Sequence, residues 1–570
     1  MNLIPMPKLL EETGGYLNKP TVNVVTRIDD ARIENALRKL PVSEDGVLFE
    51  IYRNGADGEA YTLRIEEAKI VLEAGGLQGI FYGIQTLRQL FAGGEVPCLY
   101  IEDRPDFKYR GFLLDITRGK IPKVESLKRF VDDMAYYKLN ALQLYSEHVF
   151  DLKEFQSITR RTGAMTAEEI REIEAYCHQN FIELIPAVAT FGHLYELLCE
   201  EPYREMCMLK DYKPVNIYWD ERAYHHTLDP LHPKSFELVR SILDQCTELF
   251  ASDTINICCD ETFDLENYTE KNTGRLYADF VKRIAGHLAA KGKKVMMWSD
   301  VILEDMDILG ELPEDIQLLT WGYGKRLRKE SIQKIAETNH PQIVCPGCNT
   351  WARLVENTQI SEVNIPGMAE LGGRYGAVGV LNTCWGDWGN PCSRELSMYG
   401  LVMGAEKSWS VATSIDDAFR DRVNALLYQS EHGADEVRAL SALATAVPYQ
   451  DLGAYYSNCV CEHGNLPVEL PSEEVLRSAQ SDLRELICRV RAQQWGNAEC
   501  RAELLIAAEG ILLIAEIFAK LAGYSMERTV DAEQWLAGYR DSWLKKNKAS
   551  ELCELEKMYR FMDRAAGRDM

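Results

Sequence analysis

Between Pro105 and about residue 390 the chain repeats one pattern, a short apolar and often β-branched run followed by a stretch with helical spacing. The strand-like runs fall at 110–116, 141–146, 183–189, 254–260, 294–300, 316–322, 342–348 and 379–386. Most intervals hold an amphipathic pattern, at 124–138, 166–179, 235–250 and 274–291. Such runs suit strands buried on both faces, as parallel strands under covering helices are. Eight of them, each followed by a helix, is the count that closes a (β/α)8 TIM barrel. The long interval before Thr254 predicts an inserted loop near 195–232, rich in Tyr, His and Pro.

The flanks read differently. Runs 21–28 and 46–52 alternate as strands, and 60–72 reads as a hairpin. The run 79–91 places Ile80, Ile84, Leu87 and Leu90 on one face of a helix. From Val411 the strand signal stops; 415–429, 435–447, 472–494, 502–524 and 532–564 read as helices, with a loop at 453–471. A chain of 570 residues exceeds one typical core. The expected division is a small α/β domain at 1–100, the barrel at 101–410 and an all-α domain at 411–570. The helical part is expected to pack on the barrel or to form a homodimer contact.

A formal charge of −25 argues against nucleic-acid and anionic-membrane partners, which require basic patches. No basic n-region followed by an apolar run opens the chain, so no secretory signal is expected. The apolar stretch 504–523 carries Glu509, Glu516 and Lys520 and reads as a buried helix rather than a membrane span. Sixteen cysteines in a chain this long, several inside apparent strands, read as free thiols in a reducing cytoplasm. Cys345-Pro-Gly-Cys348 has redox or zinc spacing, but no second such pair completes a metal site and no thioredoxin-like helix follows.

Chemistry in such a barrel collects where strands end. Tyr145 and Glu147 follow the second run, His193 the third, and Asp260 and Glu261 the fourth. Trp298 and Asp300 end the fifth, Trp321 the sixth, Trp351 follows the seventh, and Trp385 and Asp387 close the eighth. Two adjacent carboxylates at the rim of a buried strand must be paired, hydrated or used. Aromatic faces among carboxylates suit a carbohydrate, whose C–H faces stack on rings while its hydroxyls bind acids and Arg. No HExxH occurs and the ten His do not cluster at strand ends, so neither a metal nor a cofactor is expected.

The run from Arg104 through Arg110 and Asp115 to Arg118 resembles the opening barrel strand of glycoside hydrolase family 20, the β-N-acetylhexosaminidases. Tyr137-Lys-Leu-Asn140 with Leu144-Tyr-Ser-Glu147 resembles its second strand, Asp260-Glu261 its catalytic pair, and Trp385-Gly-Asp387 its closing strand. The run 79–91 is similar to the last helix of the small domain preceding that barrel. The resemblance implies exo-acting removal of terminal β-linked N-acetylhexosamine from a glycan, in which the substrate's own acetamido oxygen attacks the anomeric carbon. It implies Glu261 as general acid and base, and Asp260 as the residue orienting the acetamido group. Trp298, Trp321 and Trp385 would wall the acetamido pocket, with Trp351 beside them. Arg110 and Asp387 would bind ring hydroxyls, His193 would support the acid, and Glu147 would line the sugar site.

Three departures stand out. The family's His-x-Gly-Gly-Asp-Glu reads Asn256-Ile-Cys-Cys-Asp-Glu, the Asp four residues before His193 is Ala189, and the acetamide-binding Tyr near the seventh strand is replaced by Asn349-Thr-Trp351. Two rivals follow: a non-catalytic sugar-binding barrel, and a retaining glycosidase with Glu147 or Asp300 as nucleophile.

Overall fold

The computed structural model describes residues 1–55, 58–268 and 271–567. The N-terminal part is a mixed six-stranded sheet. The hairpin Tyr61–Glu66 and Lys69–Ala74 pairs antiparallel at its centre. Helix Leu77–Ala92 covers one face, burying Ile80, Ile84, Leu87 and Leu90. Its glycines permit the approach, since a Cβ on Gly83 would stand 2.3 Å from a methyl of Leu72.

Eight parallel strands then close a barrel. In chain order they are Tyr109–Asp115, Ala141–Ser146, Glu183–Val188, Thr254–Asn256, Lys294–Trp298, Gln317–Trp321, Gln342–Cys345 and Gly379–Cys384. The eighth pairs with the first from Gly379 opposite Tyr109 to Cys384 opposite Leu114. Inward side chains fill the lumen, among them Leu113, Ile185, Met296, Leu319, Ile343 and Leu381, with Trp298 and Trp385 at the upper end.

Arg110 belongs to the opposite end. It is fully buried, and its guanidinium donates to both Glu59 oxygens at 2.8 and 2.9 Å and to Tyr82 Oη at 2.8 Å. Its Nε donates to the Lys138 carbonyl at 3.0 Å. The expectation that Arg110 binds sugar hydroxyls therefore fails. Standing second in its strand, it lies at the barrel floor, where it ties the barrel to the N-terminal sheet.

The fourth strand is shorter than its apolar run implies. It ends at Asn256, and Cys258, Cys259 and Glu261 adopt φ of 58°, 61° and 46°. Asn256 Oδ1 accepts from the Cys258 N–H at 2.9 Å, which turns the chain. Left-handed backbone costs an L-residue roughly 1–2 kcal/mol. The resemblance puts Gly-Gly at these two positions, so here cysteines hold a conformation that glycine takes freely.

Among the described residues the regular elements after the barrel are all helical, including Gly433–Ala446, Tyr449–Val460, Glu473–Ala492, Ala498–Leu521, Ala532–Lys546 and Leu552–Gly567. Tyr449–Val460 occupies part of the expected loop at 453–471. The run expected as one helix at 532–564 breaks into two, with Asn547 ending the first. No helix among the described residues is long and apolar enough to cross a membrane.

Candidate active site

The fourth strand's turn delivers Asp260 and Glu261 to the barrel mouth, and the third strand's loop delivers His193. Gly192 makes this possible, because a Cβ there would lie 2.3 Å from the Asp260 carbonyl oxygen. His193 Nε2 stands 3.1 Å from Glu261 Oε2 and 3.4 Å from Asp260 Oδ2. Burial disfavours its charged form, but the neighbouring Asp260 and the hydrogen bonds to both carboxylates outweigh that and hold its pKa well above the usual histidine value. His193 thus stands between the two acids, and its Nδ1 lies 3.4 Å from Arg118 Nη2. Asp300, behind them, accepts the Glu261 N–H at 2.9 Å. Burial, then the charge of Asp260, pushes its carboxyl up to about 7.

His193, Asp260 and Glu261 face a cavity of about 280 Å³. Trp298, Trp321, Tyr323, Trp351 and Trp385 line it. Trp321 stacks on Tyr323 at 5.1 Å between ring centroids, and Tyr323 meets Trp351 edge-on at 5.2 Å. Trp385 lies 5.8 Å from Trp298 and donates its Nε1–H to Tyr323 Oη at 2.9 Å. Each ring is fixed by another, so the walls are set before any ligand enters.

Beside His193 stands Arg118, three residues past the first strand. Its Nε lies 3.1 Å from Glu147 Oε1 and 3.5 Å from Asp387 Oδ1, and its Nη1 donates to Asp115 Oδ2 at 3.3 Å. Its guanidinium carbon sits 5.3 Å from the Trp385 ring centre. An Arg beside a part-exposed Asp offers donors and an acceptor at one place, which suits a pair of ring hydroxyls.

Arg118 takes the place that the sequence assigned to Arg110. Glu147 is also repositioned: it lies behind Arg118, 2% exposed, and does not line the cavity. Its neighbour Arg222, from the inserted segment, approaches it at 4.0 Å and pairs with Glu551 of the C-terminal helices at 3.0 Å. His193, Asp260, Glu261, Trp298, Trp321, Trp351, Trp385 and Asp387 all line the cavity.

Most of the residues lining this site fall in a segment that matches a known family model. Residues 107–364 match "Glycosyl hydrolase family 20, catalytic domain", and residues 1–104 match "Glycosyl hydrolase family 20, domain 2". The chain belongs to glycoside hydrolase family 20. Among its relatives, a β-hexosaminidase of Porphyromonas gingivalis is 26% identical over 51% of this chain and 40% of its own length. One of Akkermansia muciniphila is 30% identical over 36% of this chain and 45% of its own. The family 20 chain thus spans about half the length of the curated relatives it matches. A β-N-acetylhexosaminidase structure from Bacteroides fragilis superposes with a TM-score of 0.59 at 20% identity, covering 74% of this chain and 94% of that one. A Flavobacterium johnsoniae chitobiase structure gives 0.61 at 18% identity, covering 98% and 99%. At such identity these two show a shared fold.

The family 20 site holds residues that sequence reasoning missed. Tyr323, two residues past the sixth strand, supplies the cavity hydroxyl sought near the seventh. Its signal was present in the run Trp321-Gly-Tyr323. Arg118 lay inside the quoted opening motif, and the alternation of a strand favours it, because only residues past the strand's end reach the mouth. Tyr224, Trp388 and Gln450, which also line the cavity, gave no sequence signal, since loops and a later helix bring them there. His193, Asp260 and Glu261 also have the donor types and closeness, within 4.8 Å, to hold a metal.

Proposed function

We propose that this chain is an exo-acting β-N-acetylhexosaminidase, releasing terminal β-linked N-acetylglucosamine or N-acetylgalactosamine from a glycan with retention of configuration. The observation that carries this reading is the Asp260–Glu261 pair facing the aromatic cavity together, with buried Glu147 and half-buried Asp300 both outside its lining. A double displacement needs a carboxylate nucleophile about 5–5.5 Å from the acid. Neither acid named for that role reaches the cavity, which favours nucleophilic help from the substrate.

In that mechanism the acetamido oxygen attacks the anomeric carbon as Glu261 protonates the glycosidic oxygen, and the aglycone leaves as an alcohol. Asp260 accepts the acetamido N–H and offsets the positive charge of the resulting oxazolinium ion. Water then adds to the anomeric carbon from the vacated side, giving its proton to Glu261, and the acetamido group is restored. Trp298, Trp321 and Trp385 confine the acetamido group, and Tyr323 Oη is placed to donate to its carbonyl oxygen. Arg118 and Asp387 take ring hydroxyls. The sixteen unpaired thiols support a reducing, cytoplasmic setting for this chemistry.

The test is Glu261→Gln on an aryl N-acetyl-β-glucosaminide with a leaving group that needs protonation. The expected result is a loss in kcat of roughly 10²–10⁴-fold with a folded protein. A variant within a few-fold of wild type would remove Glu261 from the chemistry and favour a sugar-binding role.

A further inference from the structure

Most of the cavity is lined from the barrel and its loops, but one lining residue comes from the helices beyond residue 411. Gln450 lies in the first turn of helix Tyr449–Val460, and its side chain lines the cavity mouth. Two contacts fix that helix against the eighth strand's loop. Tyr449 Oη donates to the Trp388 carbonyl at 3.0 Å. Gly453 admits the Trp388 ring, which would stand 2.8 Å from a Cβ at that position. Trp388 follows Asp387 in the chain, so Gln450 enters the cavity on the side of Asp387 and Arg118. Its carboxamide forms no hydrogen bond with the described residues. A terminal amide offers two donors and an acceptor.

We propose that Gln450 contacts the substrate, hydrogen-bonding a hydroxyl on the O4–O6 edge of the non-reducing sugar and making the C-terminal helices a specificity wall of the site. This rests on the reading of Arg118 and Asp387 as the hydroxyl-binding pair. In a pyranose bound with C1 at Glu261 and its hydroxyls at that pair, C4 is the ring atom farthest from C1, and C6 lies beside it. Asp387 can only accept hydrogen bonds, whereas Gln450 both donates and accepts, so together they satisfy a hydroxyl in both senses. The glucosamine and galactosamine epimers differ on this edge. The chemistry recognised is thus the orientation of one hydroxyl, read by a residue outside the segments that the family models match.

The test measures kcat and KM of full-length wild type and Gln450→Ala on three aryl N-acetyl-β-glucosaminides: the parent, its 4-deoxy analogue and its 6-deoxy analogue. Gln450 is exposed and without hydrogen-bond partners, so the variant keeps its fold and thermal midpoint. On the parent, kcat/KM falls roughly three- to tenfold, mainly through KM, as expected for one neutral hydrogen bond. On the analogue lacking the contacted hydroxyl, wild type and variant become equal. Equal losses on all three substrates, or a parent value within twofold of wild type, overturns the assignment of Gln450. If that happens while Glu261→Gln is inactive, only Gln450 falls. A wild type inactive on the parent overturns the hydrolase reading and this inference with it.

Discussion

Arg110 and Arg118 show how one strand sorts two chemically identical side chains into different jobs. Arg110 lies at the strand's start, locked to Glu59, and Arg118 lies beyond its end, facing the cavity. Removing Arg118 leaves Glu147 and Asp387 facing each other without their cation. Arg118→Ala is expected to cost roughly 2–5 kcal/mol in kcat/KM. Arg110→Ala should instead lower the thermal midpoint and leave the KM of the folded enzyme within about twofold of wild type. Paired kinetics and melting curves check both. Asp300 gives a second test at this scale. Burial, then the charge of Asp260, pushes its carboxyl up from the ordinary 3.8 to about 7 on folding, so the folded state holds the proton more tightly. The stability this gives is full below about pH 3.8 and is lost as pH rises through about 7. Asp300→Asn can still accept the Glu261 N–H and carries no charge. Its melting point should exceed that of wild type at pH 8 by roughly 1 °C per kcal/mol recovered, and the gap should close towards pH 4. Parallel melting curves across that range would contradict the assignment.

The barrel strands were legible because each is a short apolar run buried on both faces, which composition alone marks. Their exact ends were not. The fourth strand's apolar run continues through Cys259, yet the regular strand ends at Asn256, with only the Ile257 N–H and the Cys258 carbonyl still bonded to the fifth strand, because the chain turns on positive φ and hydrophobicity does not report φ. Helix Tyr449–Val460 was missed for a related reason. It opens at Pro448 without a side-chain cap and carries Gly453, so local signals argued for a loop while packing on Trp388 imposed a helix. The inserted helix Tyr218–Tyr224 depends on the same distant region. Tyr218, Trp219 and Arg222 all donate to Glu551, at 2.6, 3.2 and 3.0 Å. Glu551→Gln removes the charge opposing Arg222, which then draws on Glu147 and loosens the hold on Arg118. The expected outcome is a rise in KM of roughly three- to tenfold with a smaller change in kcat. An unchanged KM alongside a lowered melting point would mark Glu551 as structural only.

At the scale of the whole molecule, the sequence made the proposed catalytic pair visible because Asp260 and Glu261 are adjacent in the chain at the end of a buried strand. It left the rest of the cavity obscure because Arg118, Tyr224 and Gln450 are brought beside Asp387 only by barrel closure, an inserted segment and the C-terminal helices. Those helices therefore contribute to the site as well as to the core. The same architecture supports the proposed chemistry: Asp260 and Glu261 open into a cavity walled by Trp298, Trp321, Trp351 and Trp385, and neither Glu147 nor Asp300 lines it. The measurement that tests this most directly compares kcat/KM on an aryl N-acetyl-β-glucosaminide with that on the matching aryl β-glucoside, which differ only in the acetamido group. The expected result is turnover of the first and a rate on the second lower by at least about a thousandfold, because loss of the internal nucleophile removes the effective-molarity advantage of a positioned group. Equal rates on the two would contradict substrate assistance and require an enzyme nucleophile.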